Sequence, residues 1–301
     1  MEMRTLGRTG LEVSRLGAGC SWIGNELSLD ETEQAGNVLN AALDAGINFL
    51  DTSACYGNSE ELIGLTVAHR RDEYVLATKC GHAVRGYEGP EWTADLVTHS
   101  IDRSLRDMKT DYLDIVQLHG CGVDVLEKGE VTEALLNAQN SGKTRFIGYS
   151  GDNEAAKWAI DSGIFDTLQT SYSVSDQRAR TRLFEAAKAQ NMGIIAKRPI
   201  ANGAWGATSS PSEYADEYFR RYQIMAERGA IPGAPDDRFL LALGFIFGQP
   251  EVDIVIVGTL NPSHMRSNLE KVKNDLPIPD EAIEELRRRF EELDDAWVQE
   301  T

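Results

Sequence analysis

The chain has 301 residues and a formal net charge of −18 at pH 7, from 48 acidic and 30 basic side chains. This acidic balance repels nucleic acid and anionic membrane surfaces, so neither is expected as a partner. The sequence has no run of about 18 apolar residues that would span a membrane, and no signal-peptide core. Its four cysteines predict free thiols in a reducing cytoplasm. We expect a single domain over residues 1–301.

The chain begins with a predicted β-hairpin, RTLGRTGLEV (4–13), whose turn is GRTG. Short apolar or β-branched runs follow, and their near-continuous apolar character is typical of parallel strands that are buried on both faces. The eight strand candidates lie at residues 14–20, 47–51, 74–79, 112–119, 144–150, 167–172, 193–198 and 252–259. Longer helical patterns separate them. Eight strand-then-helix units predict a (β/α)₈ TIM barrel.

The helical segments carry recognisable start and stop signals. Ser28 to Glu31 form a capping-box pattern, and the helix that follows is expected to end near Gly46. Further helices are predicted at 92–108, 130–142 and 263–272. Residues 200–235 do not fit the repeat and are expected to form an excursion with a helix at 211–229. An extra C-terminal helix is predicted at 279–297, with no long tail to cover the barrel mouth.

Ionisable residues stand where the early strands end. Asp51, Lys79 and His119 end the second, third and fourth strands, and Tyr56 lies in the loop after the second. Because barrel active sites lie at the carboxyl ends of the strands, all four are expected at one mouth. Taken singly, each also suits a structural ion pair, loop packing or a core histidine. Their shared placement favours a catalytic set.

The chemistry of this set is that of carbonyl reduction. A free tyrosine has a pKa near ~10, and a nearby ammonium lowers it. Lys79 supplies that ammonium and Asp51 holds it in place, so Tyr56 becomes a usable proton donor. His119 offers a ring N–H to a carbonyl oxygen. A hydride must then come from a separate donor.

The loops after the seventh and eighth strands are the candidate cofactor site. No G-x-G-x-x-G follows a strand, which argues against a Rossmann unit. Barrels often bind phosphate at these two loops. The candidates are Lys197 and Arg198 at the end of the seventh strand, Pro199, Ile200 and Gly203 after it, and the start of the helix after Gly258 and Thr259, which end the eighth strand.

The sequence resembles the aldo-keto reductase family over nearly its whole length. The motif D-x-x-x-x-Y-G-x-S-E-x-x-[LI]-G matches Asp51 to Gly64, and LATK (76–79) and IVQLHG (115–120) follow it. RFIGYSG (145–151), LQTSYS (168–173), IIAKRPIANG (194–203) and VGTLNPSHMRSNL (257–269) then run in family order. The resemblance implies an NAD(P)H-dependent carbonyl reductase on a (β/α)₈ barrel. It implies a tetrad of Asp51, Tyr56, Lys79 and His119.

The resemblance also implies cofactor contacts. Ser150 and Gln169 match positions that bind the nicotinamide carboxamide. The adenosine end would meet Gly258, Thr259, Leu260, His264, Ser267 and Asn268. The chain departs from the family pattern at Gly151, Lys197, Gly258 and His264, where asparagine, an aromatic, lysine and arginine are common. NADPH is the expected cofactor and NADH stays open, with His264 and Arg266 as candidates for the 2′-phosphate.

The predicted substrate is a small carbonyl or alcohol compound in an open pocket. Aromatic residues in the mouth loops are the candidate walls: Trp22, His82, Trp92 and Trp205. Cys20, Cys55, Cys80 and Cys121 follow strand ends and are expected to be packed thiols, and no metal site is predicted. The oligomeric state is left open.

Two other functions fit parts of the pattern. A nucleotide-binding regulatory or scaffold protein, resembling the cytoplasmic β-subunits of potassium channels, would bind the cofactor with slow turnover. A metal-dependent barrel hydrolase would need no nicotinamide.

Overall fold

The structure, a computed structural model, describes residues 2–293 and 297–300. Its centre is a closed barrel of eight parallel strands, preceded by an antiparallel hairpin. The hairpin strands are β1 (Met3–Thr5) and β2 (Glu12–Ser14), and the barrel strands are β3 (Leu16–Gly19), β4 (Phe49–Asp51), β5 (Val75–Cys80), β6 (Leu113–His119), β7 (Thr144–Ser150), β8 (Thr167–Ser171), β9 (Gly193–Lys197) and β10 (Ile254–Val257). The predicted TIM barrel and hairpin are confirmed.

Helices occupy the segments between the strands, as the alternating pattern predicted. They are α1 (Ser21–Glu26), α2 (Thr32–Asp44), α3 (Ser59–Thr66), α4 (Ala94–Asp107), α5 (Val123–Lys128), α6 (Glu130–Asn140), α7 (Asn153–Ser162), α8 (Arg178–Arg182), α9 (Phe184–Ala189), α10 (Asp216–Ala226), α11 (Arg238–Phe247), α12 (Pro262–Asn274) and α13 (Asp280–Leu293). The capping box before α2 is present: the Ser28 N–H donates to the Glu31 carboxylate over 2.9 Å. None of the described helices is both long and apolar enough to cross a membrane.

The hairpin packs against the barrel at the amino end of its strands. Leu6, Leu11 and Val13 are buried in one cluster with inward-facing strand residues such as Phe49 and Ile115. A short 3₁₀ turn joins the two hairpin strands, and Gly10 ends it with a positive φ of 67° that favours glycine. The hairpin therefore covers the amino end of the barrel, and the opposite, carboxyl end is the mouth.

The end of the chain differs from its prediction. The last helix is described over Asp280–Leu293, the predicted residues 294–296 lie outside the described part of the chain, and residues 297–300 are not helical and lie at the barrel mouth. The Gln299 amide donates to Asp152 Oδ1 over 3.2 Å and to the Ser171 carbonyl over 3.0 Å. No long tail was expected over the mouth, but a short segment, residues 297–300, reaches it. A short polar segment is held there because buried acceptors at the ends of β7 and β8 satisfy it.

Glu60 joins three elements outside the barrel strands. It is 3% exposed on α3, and its Oε1 accepts hydrogen bonds from Thr78 of β5 (2.6 Å) and Ser104 of α4 (2.7 Å). Burial raises the pKa of this carboxyl to about 7. Its Oε2 is buried without a hydrogen-bond partner among the described residues. The surroundings of Glu60 therefore favour the neutral, protonated form of its carboxyl group.

The raised pKa of Glu60 predicts that the stability of the fold depends on pH. The folded chain binds the Glu60 proton more tightly than the unfolded chain, so the stability it contributes at low pH is lost as pH rises through about 7. We expect the free energy of unfolding of the wild type to fall by about 2 kcal/mol more than that of Glu60→Gln between pH 5 and pH 8. Urea unfolding at both pH values measures it. Glu61→Gln, at the neighbouring position on α3, is the control; equal pH dependence in all three proteins would contradict the assignment.

Candidate active site

The parallel register brings the predicted strand-end residues to one level of the mouth. Neighbouring strands pair His119 with Ser150 and Ser150 with Gln169. Asp51 ends β4 and pairs with Ala77, two residues before Lys79 on β5. Since side chains alternate along a strand, residues two apart face the same side. The polar ends of β4 to β8 therefore converge inside the barrel.

A buried ion pair lies at the centre of this group. Lys79 Nζ is 2.7 Å from Asp51 Oδ2 and donates to the Thr52 carbonyl over 2.9 Å. The two side chains are 1% and 3% exposed. Burial acts to lower the pKa of Lys79, but the Asp51 charge outweighs it, and the pKa is raised overall. Lys79 is therefore an ammonium at neutral pH.

Tyr56 lies over this pair. Lys79 Nζ is 5.0 Å from the centroid of its ring. The expected lowering of the Tyr56 pKa is wrong for the protein alone: burial raises it more than Lys79 lowers it, and Asp51 raises it further. The ammonium has less effect than the sequence indicated because Asp51 already compensates its charge. Tyr56 consequently carries its proton at neutral pH.

His119 faces Tyr56 across the mouth, with ring centroids 5.5 Å apart and nearly perpendicular. Burial, reinforced by the Lys79 charge, holds the pKa of His119 well below its usual range, so the ring is neutral. Its Nδ1 lies 3.2 Å from Ser53 Oγ and 3.4 Å from Cys55 Sγ. Sequence reasoning missed Ser53, although it is two residues after Asp51 in the same motif.

Ser150 and Gln169 extend the central pair across the mouth. Both are buried, and Ser150 Oγ donates to Gln169 Oε1 over 3.0 Å. The other end of the Gln169 amide donates to Asp51 Oδ1 over 2.7 Å. A continuous hydrogen-bonded chain thus runs from Ser150 through Gln169 and Asp51 to Lys79. It places an amide and a hydroxyl beside the predicted catalytic group.

The two cations at the end of β9, Lys197 and Arg198, are bound by other groups of the protein. Lys197 Nζ is 2.9 Å from Asp152 Oδ2, a carboxylate that is fully buried. Arg198 donates to the Glu300 carbonyl over 2.6 Å and to the Tyr214 hydroxyl over 3.0 Å. The structure therefore does not present Lys197 and Arg198 as free phosphate-binding cations. Pro199, Ile200 and Gly203 follow them in a loop that has positive φ at residues 198 and 201–203.

The loop after β10 begins with Gly258, which has no side chain. A Cβ added to Gly258 would lie 2.9 Å from Trp22 Cδ1 and 3.0 Å from the Gly19 carbonyl oxygen. Trp22 therefore occupies the room beside Gly258 that a longer residue would need. Thr259 and Leu260 are half-buried, and Asn261 caps α12 by accepting from the Ser263 N–H over 2.9 Å. On α12, His264, Arg266 and Ser267 are exposed and Asn268 is half-buried.

The aromatic candidates for a substrate pocket separate into two groups. His82 packs between Trp92 and His119, with ring centroids 4.7 Å and 5.1 Å away. Trp22 is 51% exposed at the mouth. Trp205 is only 7% exposed and packs on Tyr222, at 5.0 Å between centroids. Trp205 is therefore a core residue that packs on the helix of the excursion, whereas Trp22 is exposed.

The four cysteines are free thiols, as expected. Cys20, Cys80 and Cys121 are buried, and burial raises the pKa of Cys20 and of Cys121 to about 12. Burial also raises the pKa of the half-buried Cys55. Across residues 2–293 and 297–300, no cluster of three His, Cys, Asp or Glu side chains could hold a metal ion.

Comparison with known proteins agrees with this geometry. The sequence model of the Aldo/keto reductase family matches residues 15–289. The chain belongs to the aldo/keto reductase family. It is 30% identical to L-galactose dehydrogenase of Arabidopsis thaliana, over 90% of this chain and 88% of that one. It is 33% identical to aldo-keto reductase YhdN of Bacillus subtilis, over 89% and 87% of the two chains.

The same family relationship is visible in three dimensions. The holo form of aldo-keto reductase AKR11C1 from Bacillus halodurans superposes with a TM-score of 0.80 at 25% identity, and the match covers 96% of each chain. The family resemblance seen in the sequence is therefore confirmed. As an aldo/keto reductase, the chain is of an oxidoreductase family.

The central ion pair makes a strong prediction about stability. Asp51→Asn leaves the Lys79 ammonium buried without its counter-charge, and we expect a loss of about 3 kcal/mol or more in the free energy of unfolding. The double variant Asp51→Asn/Lys79→Met removes both charges and should lose less than the single one. Denaturant unfolding measures both. Asp161→Asn, from the exposed pair with Lys157, is the control; a similar small loss in all variants would contradict a buried pair.

Proposed function

We propose that this protein is an NAD(P)H-dependent reductase of aldehydes and ketones, acting also in the reverse direction on alcohols. One observation carries the proposal: Tyr56 and His119, two neutral donors, face each other at the barrel mouth above the buried Lys79–Asp51 pair. Two donors on facing rings suit an oxygen that gains negative charge. A single domain over residues 1–301 would hold the whole site.

In the proposed mechanism the carbonyl oxygen lies between Tyr56 and His119. His119 donates a hydrogen bond from its ring and so polarises the carbonyl. Tyr56 gives its phenolic proton to the oxygen, and the adjacent Lys79 ammonium stabilises the phenolate that remains. Asp51 keeps Lys79 charged and in position through the 2.7 Å contact. The nicotinamide cofactor supplies the hydride when it is bound.

The residues of the mouth fit such a cofactor. Ser150 and Gln169 present a buried hydroxyl and amide, the groups that pair with a carboxamide. Gly258, Thr259 and Leu260 would border the cofactor from the loop after β10, where the Trp22 indole packs against Gly258. His264, Arg266, Ser267 and Asn268 lie on one helix for the adenosine end. Ile200, Pro199 and Gly203 would border the cofactor from the loop after β9.

The proposed substrate is a small carbonyl compound bound over the mouth and bordered by Trp22, His82 and Trp92. One relative is named an L-galactose dehydrogenase, so hydroxylated aldehydes belong in the substrate panel beside aromatic ones. The polar rim supports this choice, because His82 Nδ1 lies 3.4 Å from the Glu91 carboxylate. The regulatory or scaffold alternative is not favoured, since the family's proposed catalytic set is complete. A cytoplasmic location remains part of the proposal.

Tyr56→Phe tests the role of the phenol. The variant keeps the ring but removes the proton, and we expect kcat for aldehyde reduction to fall by about 10² to 10⁴-fold. Cofactor binding, measured by fluorescence titration, should stay within about threefold because the ring still packs at the mouth. Tyr112→Phe, at the amino end of β6, is the matched control. Reduction by Tyr56→Phe at the wild-type rate would refute the mechanism.

The choice of cofactor gives a second test. We expect NADPH to bind more tightly than NADH, with the exposed Arg266 and His264 of α12 contacting the 2′-phosphate. Arg266→Ala should then weaken NADPH binding by roughly tenfold and leave NADH binding unchanged. Parallel fluorescence titrations with both nucleotides measure this difference. Lys271→Ala, further along α12, is the control; an equal effect of Arg266→Ala on both nucleotides would remove these residues from phosphate recognition.

A further inference from the structure

Ser53 and Cys55 form a small polar group behind His119. Ser53 Oγ is 3.2 Å from His119 Nδ1 and 3.1 Å from Cys55 Sγ, and Cys55 Sγ is itself 3.4 Å from Nδ1. We propose that Ser53 and Cys55 are positioning residues that hold His119 as the tautomer with its proton on Nε2. This inference rests on the proposed function for its catalytic meaning, but the tautomer is a property of the protein itself.

The hydrogen-bond geometry favours one arrangement of protons. The Cys55 N–H donates to Ser53 Oγ over 3.4 Å, and the Cys55 thiol lies within reach of the same oxygen. Ser53 Oγ, which accepts from the Cys55 N–H, has its own proton left to donate. Its two acceptors are His119 Nδ1 at 3.2 Å and the Lys79 carbonyl at 3.5 Å. The shorter contact favours donation to Nδ1, because hydrogen bonds weaken as the distance grows.

The opposite tautomer satisfies the group less well. With the proton on Nδ1, His119 would donate to Ser53, and the Ser53 hydroxyl would have only the 3.5 Å carbonyl or the weakly accepting sulfur of Cys55. The thiol is a donor here, since burial raises the pKa of Cys55 and keeps it protonated. Two protonated groups thus face Nδ1. Two potential donors behind one ring nitrogen favour an accepting nitrogen.

The consequence appears on the other side of the ring. A neutral imidazole carries one N–H, so an accepting Nδ1 leaves the proton on Nε2. Within the described residues, Nε2 has no hydrogen-bond partner. The Tyr56 and His82 rings pack against the imidazole and restrict its rotation. Ser53 and Cys55 therefore deliver a fixed N–H donor to the mouth, as carbonyl polarisation requires.

The direct test is nitrogen NMR of the protein with ¹⁵N-labelled histidine, at neutral pH. The chain has five histidines, so His119→Asn assigns the signal by difference. We expect Nε2 to be protonated and Nδ1 to be unprotonated. A proton on Nδ1 in the wild type would overturn the proposal. This result needs no turnover, so it judges the tautomer even if carbonyl reduction, and with it the proposed function, fails.

A matched pair of double variants tests the positioning role. Ser53→Ala/Cys55→Ala removes both donors, whereas Ser53→Ala/Cys55→Ser removes one and replaces the thiol by a hydroxyl that can donate to Nδ1. We expect the first to lose roughly tenfold or more in kcat, with the KM for the cofactor unchanged, and to show mixed tautomers in NMR. The second should recover most of the kcat and the single Nε2-protonated form.

Comparison of the two double variants separates positioning from a structural role. Both double variants lack the Ser53 hydroxyl, so a merely structural role predicts the same loss of activity in both. Recovery in the serine variant alone, together with the NMR pattern, supports positioning. Equal kcat and an unchanged His119 spectrum in the alanine variant would overturn it.

Discussion

The site depends on one interaction, the buried contact between Lys79 and Asp51. Removing two charges from water is costly, and the cost is tolerated here because Asp51 also accepts from Gln169 and Lys79 also donates to the Thr52 carbonyl. The pair therefore holds β4, β5 and β8 together at the mouth. The geometry of Tyr56 above it, and of Ser150 beyond it, follows from that arrangement.

Most of the barrel could be predicted from the sequence because several independent sequence patterns indicated the same fold. Apolar runs predicted buried parallel strands, the Ser28–Glu31 pattern marked a helix start, and strand ends carried the ionisable residues. The order of strands then followed from the alternation of strand and helix. Asp51, Lys79 and His119 could be placed at one mouth for this reason alone.

Other features could not be predicted because they depend on contacts between distant segments. Nothing near Lys197 in the sequence indicates that Asp152 neutralises it, or that Gln299 returns to the same carboxylate. The burial of Trp205 depends on how the excursion folds over it. The raised pKa of Tyr56 depends on how far its side chain is buried. The spacing of residues along the sequence does not reveal that burial.

The electrostatics of the mouth explain why burial can serve the proposed chemistry. Tyr56 and His119 are both neutral, so Tyr56 keeps the proton that a reduced carbonyl oxygen needs, His119 can donate a hydrogen bond, and neither repels a nearby cation. The Lys79 ammonium, 5.0 Å from the centroid of the Tyr56 ring, has its counter-charge on Asp51. Loss of the Tyr56 proton places a second negative charge near the ammonium, and low local polarity strengthens that attraction. The same burial that raises the pKa of the phenol in the resting protein therefore also strengthens the stabilisation of its phenolate by Lys79.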